Sequence, residues 1–183
     1  PAYLVETSEL QHRWPVPGDA ALIVLSRSGR STEIAPVLDK AAESQARIIA
    51  ITNDPESPLA SRADVVLPLH VMFDTAASIA TYTAPALMGG LLALAVAGSL
   101  ESGLIRTLAD ALDEAEKLIP AWRAAIRKSD WLLTEVPTFF LARGASLASC
   151  HEARLLWFEV ARAASSAMST TTFRHGPQEI LAA

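Results

Sequence analysis

The 183-residue sequence predicts an α/β fold built on parallel, three-layer sheets, and three observations carry that prediction. Short, unbroken apolar runs, expected of strands covered on both faces, alternate with segments of helical period. Their order, strand, helix, strand, short helix, strand, is that of right-handed parallel crossovers. The same plan then restarts near residue 138, beyond a long charged helix.

Residues 20–25 form the first such run, ending ALIVL, and a strand covered on both faces is expected there. The helix that follows is expected over 32–44, with Ser31 as N-cap, Glu33 in the first turn and Pro36 close to that turn. RIIAIT (47–52) is the second strand, closed by the turn signal NDPESP, and DVVLPL (64–69) is the third, weakened at its end by Pro68. A long helix is expected from about 75 to 97 and another from 104 to about 128. The second carries Asp110, Asp113, Glu114, Glu116 and Lys117 along one side and reads as solvent-facing. TFFLAR (138–143) is a new strand, GASLAS a second small-residue loop, and 151–163 a helix with a broad apolar face. One strand and one helix are then expected before the sequence ends. A lone βα unit cannot cover its own sheet, so pieces are expected to be missing at both ends.

Apolar residues make up 51% of the sequence against 19% charged, which argues against disorder. The net charge of −5 argues against a nucleic-acid partner, because phosphate-backbone binding needs a basic face. A single cysteine, Cys150, allows no intrachain disulfide and fits a reducing cytoplasm. The stretch APALMGGLLALAVAGSL (84–100) falls short of a spanning helix and holds Pro85, Gly89 and Gly90, so no membrane partner is expected. A helix apolar nearly all round belongs in a core or a subunit interface, and a homodimer or larger assembly is expected. Trp14, Trp122, Trp131 and Trp157 read as core or interface residues. His12 and His70 lack partners at ligand spacing, and no metal is expected.

The functional signal starts where the first strand stops. In SRSGRST (26–32) four hydroxyls fall within seven residues, at the carboxyl end of a parallel strand and the start of a helix. Free N–H groups and the positive end of the helix dipole favour an anion there, and small side chains let it approach the backbone. A plain polar turn explains the composition equally well. Neither G-x-x-x-x-G-K-[ST] nor G-x-G-x-x-G after a strand occurs, which argues against nucleotide and dinucleotide chemistry.

The second signal is HEARLLWFEVARAASSAMSTTTFRHGP (151–177). Glu152 and Glu159 are seven residues apart and share one helix face. With Leu155, Leu156, Trp157, Phe158 and Val160 around it, Glu159 lies either at a helix edge or in a pocket that raises its pKa, as a general base requires. His175 lies in the tight turn RHGP.

Together these stretches resemble the sugar isomerase (SIS) family, in particular proteins with two tandem SIS domains. SRSGRS is similar to the family's Ser-x-Ser-Gly-x-Ser/Thr phosphate loop. TNDPESPLASRADVVLPL resembles its second and third strands, and LARG with the two glutamates and FRHGP resembles the opening of a second SIS domain. The resemblance implies flavodoxin-like SIS domains in tandem, divided as a first domain over 1–106, a helical connection over 107–136 and the start of a second domain over 137–183. It implies that Ser26, Arg27, Ser28 and Ser31 bind a sugar phosphate and that Ala76 lies near the sugar. It assigns Glu159 to proton transfer between C1 and C2, and His175 to ring opening. The implied reaction is ketose/aldose-phosphate isomerisation, or amino-sugar-phosphate deamination, through an enediol-type intermediate. The implied ligand is a hexose or hexosamine 6-phosphate, and no cofactor is implied. Where relatives carry lysines between the two glutamates this chain has Leu156 and Phe158, and Thr172 replaces an acidic residue. Those departures keep a rival open: a non-catalytic sugar-phosphate sensor.

Overall fold

A computed structural model describes residues 2–72, 74–129 and 136–182 of the chain. It divides into two compact units, Pro1–Leu100 and Glu101–Ala183.

In the first unit, α1 (Thr7–His12) precedes β1 (Ala21–Leu25), α2 (Ile34–Ser44), β2 (Arg47–Thr52), α3 (Pro58–Ser61), β3 (Val65–Pro68) and α4 (Ala80–Val96). The three strands are parallel in the order β1-β2-β3, as the alternation of strand and helix predicts. Val24, Ile48 and Ala50 pack with Ile34, Leu38 and Ala41 of α2 and with Leu59 of α3 into one core, and Trp14 leans on its edge. The Lys40 ammonium donates to the carbonyls of Leu10 and Gln11, tying α1 to α2.

Two expectations are corrected here. The strand at 20–25 is not covered on both faces: Ile23 and Leu25 remain 47% and 50% exposed, because α2 packs on the opposite side chains of β1. Helix α4 starts at Ala80 instead of near 75. The Asp74 carboxylate accepts the N–H groups of Ile79, Ala80 and Thr81, which makes residues 75–79 a turn folded over it. The helix is apolar on all sides yet only half-buried, with Leu87 and Val96 exposed. No helix among the described residues is long and apolar enough to cross a membrane.

The second unit holds α5 (Ser102–Lys128), β4 (Thr138–Ala142), α6 (Ser146–Leu156) with a π-turn (Trp157–Ala161), β5 (Ser165–Ser169), α7 (Thr170–Arg174) and a 3₁₀ turn (Pro177–Ala182). Helix α5 faces solvent as its charges predict, but its apolar side is also uncovered, so Trp122 is half-exposed and not a core residue. Trp131 lies outside the described residues.

β5 overturns the expectation of a single strand in this half. It pairs in parallel with β4 along its whole length, Thr138 to Ser165 through Ala142 to Ser169. Rings secure β4 on both sides. Phe139 meets Phe173 of α7 edge-on at 5.1 Å, and Phe140 meets Trp157 at 5.8 Å. The helix expected over 151–163 widens into the π-turn and stops at Arg162, whose φ of 53° is left-handed.

Candidate functional site

The loop after β1 is a turn whose hydroxyls hold its own backbone. Ser26 extends the strand by donating its N–H to the Ile51 carbonyl at 3.0 Å. The Ser26 Oγ accepts the Gly29 N–H at 3.1 Å, and the Ser28 Oγ accepts the Arg30 N–H at 3.3 Å. Each hydroxyl keeps its proton for another acceptor. The Ser31 side chain is exposed with no partner among the described residues, and the N–H groups of Ser28, Ser31 and Thr32 take no acceptor there either. Donors therefore collect at the carboxyl end of a parallel strand, where open α/β sheets bind ligands.

One detail departs from expectation. Ser31 does not cap α2 with its side chain. Its carbonyl accepts the Ile34 N–H at 3.0 Å, the helix begins at Ile34, and Glu33 is the N-cap residue without a side-chain bond. The extra turn leaves the Ser31 hydroxyl free of the helix end.

The turn after β2 supports this loop from beneath. The Arg27 carbonyl accepts from the Asn53 N–H at 3.0 Å and from the Thr52 hydroxyl at 3.3 Å, and the Gly29 carbonyl accepts from Leu59 N–H at 3.3 Å. Arg30 places Nε and Nη2 on one oxygen of Asp54, at 3.0 and 2.8 Å, and that guanidinium holds the Asp54 carboxyl below its ordinary range. Arg27 reaches across to the Ser78 hydroxyl at 3.4 Å. Ala76 is exposed in the 75–79 turn. Hydrogen bonds from the Thr81 N–H and hydroxyl lower the pKa of Asp74 beneath that turn. Sequence reasoning passed over Thr52, Asn53, Asp54, Ser57 and Asp74. Only Ser57, one residue before a proline that opens a short helix, had a legible capping signal.

The remaining predicted residues belong to the second unit. Glu159 lies on the π-turn and is exposed, and its neighbours Leu155, Phe158 and Val160 are themselves 43%, 44% and 66% exposed. The described residues of this unit therefore form no apolar pocket around Glu159. Glu152 is the perturbed carboxyl: burial first, and then the charge of Glu159, push it above the usual glutamate range. His175 ends α7, its N–H bonded to the Thr172 carbonyl at 3.1 Å, and its ring is exposed.

The model of the SIS domain matches residues 1–95. The chain belongs to the SIS domain family. It is 30% identical to the glutamine–fructose-6-phosphate aminotransferase (isomerizing) of Chlamydia trachomatis over 97% of its own length, which is 30% of that enzyme. In fold it is similar to glucosamine-6-phosphate deaminase from Thermotoga maritima, with a TM-score of 0.78 at 24% identity over 94% of this chain and 53% of the other. It is equally similar to the C-terminal domain of glucosamine-fructose-6-phosphate aminotransferase from Francisella tularensis, with a TM-score of 0.79 at 21% identity over 95% and 52%. This SIS chain thus spans about 30% of the curated relative and about half of each solved structure.

Proposed function

We propose that this SIS chain binds a hexose or hexosamine 6-phosphate in the 26–31 loop and serves a ketose/aldose-phosphate isomerase or an amino-sugar-phosphate deaminase. The observation that carries the reading is the loop itself. It has three serines with protons to donate and uncommitted N–H groups at the carboxyl end of β1, in a chain homologous to a fructose-6-phosphate aminotransferase. Phosphate held there supplies remote binding energy that orients the sugar's C1 and C2. Ser26, Arg27, Ser28 and Ser31 form the phosphate site, and Ala76 borders the sugar.

Chemistry then needs a base that moves one proton between C1 and C2 and a group that opens the ring. Glu159 takes the first role and His175 the second. General-base action near neutral pH requires an environment that disfavours the carboxylate. The exposed Glu159 acquires such an environment only by being covered, in a tandem arrangement with 1–106 as the first domain and 137–183 as the start of the second, or in a homodimer or larger assembly. The uncovered apolar sides of α4 and α5 supply area for such an assembly. A cytoplasmic setting fits the lone cysteine.

Deuterium uptake tests the reading. Glucosamine 6-phosphate or fructose 6-phosphate in deuterated water is expected to gain deuterium at C1 or C2 with the protein. Glu159→Gln is expected to cut that rate by roughly the 10²–10⁴ typical of a general base. Tight binding without exchange for either sugar would refute the enzymatic roles.

A further inference from the structure

We propose that Thr52 is a positioning residue for the anion-binding loop: with Asn53 it fixes the Arg27 carbonyl and thereby aims the Ser28 N–H at the anion. The inference rests on the reading of the 26–31 loop as the phosphate site. Thr52 is the last residue of β2, and its side chain is fully buried. Its hydroxyl donates to the Arg27 carbonyl at 3.3 Å and accepts the Asp54 N–H at 3.3 Å, so both of its hydrogen-bonding functions are used. The Asn53 N–H reaches the same carbonyl at 3.0 Å.

Two donors on one carbonyl settle the direction of a whole peptide plane. The described peptide bonds include no cis bond, and a trans peptide holds its C=O and N–H on opposite sides. With the Arg27 carbonyl turned down onto the end of β2, the Ser28 N–H must point away from it, out of the loop. That N–H has no acceptor among the described residues. A second plane is set in the same way. The Gly29 carbonyl is held by the Leu59 N–H, and the Arg30 N–H then points to the Ser28 Oγ, which leaves the Ser28 hydroxyl with its proton to donate. Donors fixed before the ligand arrives need no reordering on binding, which is where preorganisation adds affinity. A hydroxyl that merely satisfied a buried strand end would not need to meet the loop at all.

The test measures binding of inorganic phosphate and of glucosamine 6-phosphate by calorimetry, with each variant below its own unfolding temperature. Thr52→Val is expected to weaken both ligands by roughly three- to tenfold, the worth of one typical hydrogen bond, and Thr52→Ser to restore wild-type affinity. Ser61→Ala removes a bond to the Pro58 carbonyl within the short helix α3 and is expected to leave affinity unchanged. A Thr52→Val protein that melts earlier yet binds like wild type would reduce Thr52 to a structural residue and overturn the proposal. Should that variant not fold, the wild-type amide spectrum decides: phosphate must shift the Ser28 N–H, and a Ser28 signal that stays still while Thr32 moves overturns the proposal as well. Ser28→Ala separates the two levels of inference. If it binds phosphate as tightly as wild type, the anion lies elsewhere and the site reading fails first.

Discussion

Gly29→Ala puts the shape of the loop to its most direct test. Gly29 is buried with φ at +60°, and a Cβ there would lie 2.2 Å from the Ser57 Oγ and 2.5 Å from the Ser57 Cβ. Left-handed backbone costs an alanine about 1–2 kcal/mol. Ser57 cannot swing clear, because it is fully buried and its Oγ caps α3 by accepting the Ala60 N–H at 3.2 Å. Forcing an extra carbon into such a site costs about 1–3 kcal/mol more. The sum, about 2–5 kcal/mol, is a large part of the roughly 5–15 kcal/mol that holds a domain folded. Ser57→Gly removes both clashing atoms, and glycine at an N-cap costs only about a few tenths of a kcal/mol against serine. Urea unfolding of wild type, both single variants and the double variant, followed by circular dichroism, closes the cycle. The backbone strain should persist in the double variant while the clash disappears, giving a coupling of about 1–3 kcal/mol. A Gly29→Ala cost below about 1 kcal/mol, or costs that simply add, would mean that the loop does not rest on Ser57.

Two further predictions concern carboxyl groups. Glu152 has a raised pKa, so the folded protein binds that proton more tightly than the unfolded chain and stability falls as pH climbs through the window above the ordinary glutamate value. Glu152→Gln is therefore expected to raise the melting temperature at pH 7 more than at pH 4, and equal effects at both would contradict the assignment. Asp74 has a lowered pKa, so its contribution is present above the usual aspartate value and is lost as pH falls through its lowered one. Asp74→Asn is expected to speed hydrogen exchange at the Ile79, Ala80 and Thr81 amides at neutral pH, and unchanged protection would show that α4 starts without this cap.

The first half of the fold was legible because its signals are local. ALIVL and RIIAIT are apolar and β-branched, NDPESP can only be a turn, and the three strands fall in sequence order as short crossovers require. β5 was illegible for the opposite reason. SSAMS has neither alternation nor β-branched residues, and it is a strand because β4 offers an unpaired edge to it. Residues 75–79 hold no glycine or proline that would stop a helix, yet α4 starts only at Ala80. What overrides composition there is one carboxylate collecting three N–H groups. At the candidate site the hydroxyl cluster was visible, and what supports it was not. Thr52 and Asn53 act on the loop through the Arg27 carbonyl, a backbone atom that no side-chain pattern announces.

The two phrases LSRSGRSTEI and LARGASLASC share a plan of strand, small-residue loop and helix, and the structure shows how far that likeness extends. In both units a glycine turns left-handed just after the strand, Gly29 at φ 60° and Gly144 at φ 57°. In both, an arginine of the loop is held by the segment that follows the neighbouring parallel strand: Arg30 by Asp54 in the first, and Arg143 by the Thr170 hydroxyl at 2.6 Å in the second. The hydroxyls differ. The first loop offers Ser26, Ser28 and Ser31 before its helix begins, whereas the second reaches its helix through Ala142, Gly144 and Ala145, with Ala145 as an N-cap residue that makes no side-chain bond. Gly144 also has open space, among the described residues, where a Cβ would lie, unlike Gly29. Among the described residues the turn geometry thus recurs after β4, while the run of serine hydroxyls found after β1 does not. The proposal that phosphate binds the 26–31 loop draws on that difference in hydroxyls.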